Sequence, residues 1–195
     1  MGDVYSNLAS LILLCFQRDH SKRTPLMAAA LSGADMSVRL LLKYGAHPDV
    51  MNKDDNTALL AAVEAGATTT IDILAPVTSV GYSVAQTIDL MAKYHHKIKL
   101  TQPLKGFLRR CSENHGVLEQ AILSACHYGA VDLFNQFTQG FSNTLLRRLL
   151  GWARLPSATP HPEFQDFQQV MTSVSLIHSS VMADSPELCT KVLKL

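Results

Sequence analysis

The decapeptide TPLMAAALSG at Thr24–Gly33 returns as TALLAAVEAG at Thr57–Gly66, displaced by 33 residues. A fixed period of that size constrains the fold more than any other feature of the chain. One such unit cannot bury its apolar side alone, so successive copies must stack into a solenoid. The activity this favours is binding, because a stack presents surface before it presents any reactive group.

Each unit reads as a helix, a turn, a second helix and a polar hairpin. Thr24 can cap the first helix with its hydroxyl, and Pro25 suits the first helical position, where its missing N–H costs nothing. Ala28, Ala29 and Ala30 favour helix and carry little bulk, so a neighbouring helix can come close. Gly33 can adopt the left-handed conformation that stops this helix, and Gly45 can stop the next one. Val38, Leu41 and Leu42, at i, i+3 and i+4, give the second helix an apolar stripe. The polar, turn-rich segment from His47 to Asn56 predicts a hairpin tip.

In register and without a gap, Thr24-Pro25-Leu26, Ala29-Ala30, Gly33, Val38, Leu41-Leu42 and Gly45-Ala46 resemble the signature of the ankyrin-repeat family. Two positions depart from it. Met27 replaces the usual His and its turn-bracing hydrogen bonds, and Asn56 stands where the hairpin usually has Gly. Asn tolerates positive φ better than most residues.

The pattern weakens downstream. Pro76 ends the second repeat early, and Thr78 occupies the place of Gly45. Helices are predicted over Ser83–Tyr94 and Leu104–Ser112, joined by an enlarged connection. The register returns at Glu119, with Gln120–Gly129 matching the inner helix and Val131–Phe134 opening the outer one. Phe141–Leu155 reads as a basic amphipathic helix, PSATPHP at 156–162 as an exposed loop, and Leu176–Ala183 as the core of a last inner helix. Tyr5–Arg18 has the spacing of a capping helix. The expected organisation is one domain over 1–195: a capping helix in 1–21, repeats at 22–53 and 54–82, and a degenerate repeat at 83–118. A repeat with the basic helix follows at 119–155, then a loop at 156–168 and a C-terminal repeat at 169–195. The fold class is all-α, an ankyrin-like helical solenoid of about five partly degenerate repeats with short hairpin loops. Because the Val-Leu-Lys-Leu terminus is not a polar cap, the chain is expected to be part of a longer repeat protein.

Charged residues make up 17% of the chain and apolar residues 47%. The charged share is below the roughly 25% of ordinary globular chains, so some apolar surface is left for a partner. A formal net charge of +1 implies no field for nucleic acid. The apolar run Leu8–Phe16 is too short to span a bilayer. Cys15, Cys111, Cys126 and Cys189 are scattered and read as reduced thiols, pointing to an intracellular address, cytoplasmic or nuclear.

Reactive constellations are sparse. Cys111 and His115 have C-x-x-x-H spacing with Cys126-His127 nearby, but adjacent helical residues point apart, and zinc needs four convergent donors. Neither a metal nor another cofactor is expected. His95-His96 lies among Lys93, Lys97 and Lys99 and reads as solvated surface. The zinc- or thiol-dependent enzyme is therefore a minor alternative. Leu145–Leu155, LLRRLLGWARL, could dock on calmodulin or a membrane surface, although core burial explains the same leucine spacing.

The resemblance implies a non-catalytic adaptor that binds a partner protein along the concave face formed by hairpin tips and inner helices. Carried over by register, that face comprises Leu31, Ser32, Lys53, Asp55, Glu64, Ala65, His127 and Tyr128.

Overall fold

The computed structural model describes residues 17–81, 83–139 and 185–193, and every regular element among them is helical. In chain order these are α1 (Pro25–Leu31), α2 (Asp35–Lys43), α3 (Ala58–Ala65), α4 (Thr68–Leu74), α5 (Val84–Lys93), α6 (Gln102–Ser112), α7 (His115–His127), α8 (Val131–Thr138) and α9 (Pro186–Leu193). They fall into two compact units, residues 1–107 and 108–195. The capping helix in 1–21, apart from its last residues, the basic helix at 145–155, the loop at 156–168 and most of the repeat at 169–195 lie outside the described residues.

The first unit is built as the period demands. The Thr24 hydroxyl accepts from the Met27 N–H at 3.2 Å, and Thr57 accepts from Leu60 at 3.4 Å. Each thus satisfies one of the donors that a helix N-terminus leaves open. Met27 partly replaces the bracing expected of a histidine, because its Sδ accepts from the Thr24 N–H at 3.5 Å. Gly33 and Gly66 close their helices at φ 65° and 67°.

Inner helices α1 and α3 pack side by side, as do α3 and α5, while the outer helices α2 and α4 pack on each other and on their own inner partners. Alanine makes this approach possible: Ala30 and Ala62 have no exposed surface. Around them Leu26, Leu59, Leu60, Ile71 and Leu74 are buried to 2% exposure or less. Each such side chain contributes about 1.5–3 kcal/mol of burial free energy. Of the stripe predicted on the outer helix, Val38 is fully buried but Leu41 and Leu42 are only half-buried. The flanks of that helix are not covered by its packing on α1 and α4.

Polar latches join one repeat to the next. The Thr70 hydroxyl on α4 donates to Asp35 at the start of α2, and Thr101, just before α6, donates to Asp72 on α4. Asp49 accepts from the Ser79 N–H at 3.0 Å.

The tips repeat as faithfully as the helices. Asp19 Oδ1 accepts from the N–H groups of Ser21 and Arg23, and Asn52 Oδ1 does the same for Asp54 and Asn56. Lys22 and Asp55 both take φ 58°. The positive φ therefore falls on Asp55, one residue before Asn56, because Asn56 must be placed to return its N–H to Asn52. The Lys53 N–H donates to the Ser21 carbonyl at 3.1 Å and joins the two tips through their backbones.

In the second unit α7 packs on α8. Helix α7 starts at His115, four residues before the register marked at Glu119, because Asn114 caps it by accepting from Gly116 and Val117. The expected border at 118/119 thus falls inside a helix. Ala130 precedes α8 at φ −78°, ψ 76°, nearly the conformation of Ala34 and Ala67 before α2 and α4. The same tight inner-to-outer turn is therefore made three times. Lys191 on α9 bonds Asn135 of α8 at 2.7 Å.

Candidate partner-binding groove

A groove of about 910 Å³ opens in the first unit, between the two hairpin tips and along α1 and α3. The tips contribute Asp19 and Arg23 on one side and Asn52, Asp54 and Asn56 on the other; the helices contribute Ala28, Leu31, Ser32, Ala61 and Glu64. The geometry follows from the repeat. Tips bonded through Lys53 and Ser21 stand beside each other, and alanines on the inner helices keep the floor low.

The floor is mixed in character. Leu31 is 46% exposed, and Ala28 beside it is also exposed. Of the charged residues, Arg23 is neutralised by Asp19 at 2.8 Å. The Arg23 backbone N–H, then its guanidinium, holds the Asp19 carboxyl below its ordinary value. Arg18, Asp54 and Glu64 also line the groove and form no ion pair among the described residues.

Of the residues assigned to the concave face from the sequence, Leu31, Ser32 and Glu64 meet in this groove. Lys53, Asp55 and Ala65 are exposed but lie outside its lining. His127 and Tyr128 are in the second unit, at the end of α7, with their rings edge-to-face at 4.7 Å. The sequence reading missed Arg18, Ala28 and Asp54. Asp54 carried a signal, since it directly follows the tip residue Lys53.

Cys111 is fully buried on α6, and burial pushes its thiol up to about 12. A nucleophilic cysteine requires the opposite shift. His115 is exposed and Cys126 is buried. Among the described residues there is no group of three or more His, Cys, Asp or Glu able to hold a metal. The Lys93 and Lys97 ammonium groups lie 5.6 and 5.4 Å from the Tyr94 ring centre, beside exposed His95 and His96. No helix among the described residues is long and apolar enough to cross a membrane.

Residues 4–87 match the family model described as ankyrin repeats (3 copies), a span that takes in α1 to α4 and the groove. This segment is an ankyrin-repeat array, and such repeats are typically non-catalytic and generally mediate protein–protein interaction. Neither the curated proteins nor the solved structures gave a match.

Proposed function

We propose that the ankyrin repeats of this chain act as a non-catalytic adaptor inside the cell, binding a partner protein through the concave face of the first unit. The observation that carries this reading is the groove between the tips and inner helices, with Leu31 exposed on its floor. Leu31, Ser32 and Glu64 form its centre and Lys53, Asp55 and Ala65 its exposed surroundings. His127 and Tyr128 are a further contact patch on the second unit. The mechanism is rigid presentation. Packed helices and hydrogen-bonded tips meet the ordering cost in advance, so contacts from successive repeats add to affinity instead of being spent on folding.

The test is affinity capture from cytosol with the wild-type chain and with Leu31→Arg. The substitution places a charge on the groove floor without disturbing the core. Partners that bind the wild type and are lost from the variant support the reading. Equal retention of every captured partner by Leu31→Arg contradicts it.

A further inference from the structure

We infer that the groove selects a partner segment carrying a lysine or arginine next to an apolar residue, with the cationic head drawn to the side of the groove that Asp54 and Glu64 line. The inference rests on the proposed role of the groove as a protein-binding site and adds the chemistry of its ligand.

The charges facing the groove are unevenly distributed. Asp19 and Arg23 cancel each other within the first tip. Arg18 lies beside them, so the first-repeat side carries a net positive charge. Asp54 and Glu64, both supplied by the second repeat, have no cationic partner among the described residues. A cation entering the groove is therefore repelled from one wall and attracted to the other, which fixes the side on which it lies.

Apolar surface between these walls selects the kind of cation. Ala28 and Leu31 on α1 are exposed, and Ala61 on α3 adjoins them in the lining. Lysine and arginine can lay their methylene stems on such surface while the head remains at a hydrated carboxylate. An acidic side chain meets one cation, Arg18, against the two carboxylates Asp54 and Glu64, and a purely aliphatic one leaves both carboxylates without a partner. An apolar neighbour fits because Leu31 and Ala28 are exposed on the floor.

The test is selection of a displayed library of random short peptides on the full chain, with binding then measured on Leu31→Arg, Asp54→Lys and Glu64→Lys. All three substituted positions are exposed, so folding should be retained, and circular dichroism checks this. The expected result is enrichment of Lys or Arg beside an apolar residue among peptides whose binding Leu31→Arg abolishes. Asp54→Lys and Glu64→Lys should each weaken them about tenfold, with the loss reduced at high salt. Groove-dependent peptides without basic enrichment, or indifferent to both charge reversals, overturn this inference and leave the protein-binding role standing. Recovery of no peptide that depends on Leu31 overturns both.

Discussion

Gly66→Ala and Gly106→Ala are the same chemical change in the same unit, and the structure predicts opposite signs for them. Gly66 ends α3 in the left-handed conformation, φ 67° and ψ 22°. An L-residue there costs roughly 1–2 kcal/mol. The lower entropy of the unfolded chain returns about 0.4–1 kcal/mol. Sterics add nothing, because a new Cβ meets no atom closer than the Lys97 Cβ at 3.9 Å. The net expectation is a loss of about 1 kcal/mol. Gly106 lies inside α6, exposed, and an added Cβ meets nothing within 4 Å. There alanine should gain about 0.5–1 kcal/mol from reduced backbone freedom. With a urea slope of about 1–3 kcal/mol per molar, the two midpoints should move about 0.2–1 M in opposite directions. Urea unfolding followed by circular dichroism reads both. A neutral or stabilising Gly66→Ala would refute the left-handed stop, and a destabilising Gly106→Ala would refute a continuous α6.

Thr57→Ala should cost about 1 kcal/mol by freeing the Leu60 N–H at the start of α3, measured as a lower urea midpoint. The Thr70 hydroxyl, then that of Thr69, holds the Asp35 carboxyl below its ordinary value. Its contribution to stability is therefore present above the unfolded value of about 3.9 and is lost as pH falls through the folded value. Carboxyl NMR should place the Asp35 midpoint below 3.8, and Thr70→Val should raise it. Cys111, with its thiol near 12, should resist alkylation at mildly alkaline pH in the native chain and react once urea unfolds it, as mass spectrometry would show.

What the sequence disclosed was whatever a single residue type can specify by itself. Thr24, Thr57, Gly33 and Gly66 each have one physical reason to stand at a helix end, and each does so. The tips were less legible. Asp19 and Asn52 keep the period of the helices and accept the same pair of N–H groups, but Asp and Asn also occur in many turns without that role. The left-handed place of Asp55 is hidden in the sequence because the family's glycine aligns with Asn56, and only the hydrogen bonds to Asn52 decide between neighbours. The start of α7 at His115 was hidden for a related reason: Asn114-His115-Gly116 reads as a loop until the Asn114 side chain is seen capping it. Leu31, Ser32 and Glu64, assigned to the concave face by register, line the groove. Arg18 required three dimensions, since it becomes a neighbour of the floor only when one tip is bonded to the next.

That bond offers the most direct test of the central claim, that units 33 residues apart stack side by side and build the groove between them. Lys53 has an exposed side chain, yet its N–H is directed at the Ser21 carbonyl of the preceding tip, 3.1 Å away. Residue-resolved amide exchange of the native chain should find the Lys53 N–H protected, with protection reduced by Asp19→Ala, which loosens the tip that holds Ser21. Exchange of the Lys53 N–H at the rate of an unstructured peptide would contradict the stacking.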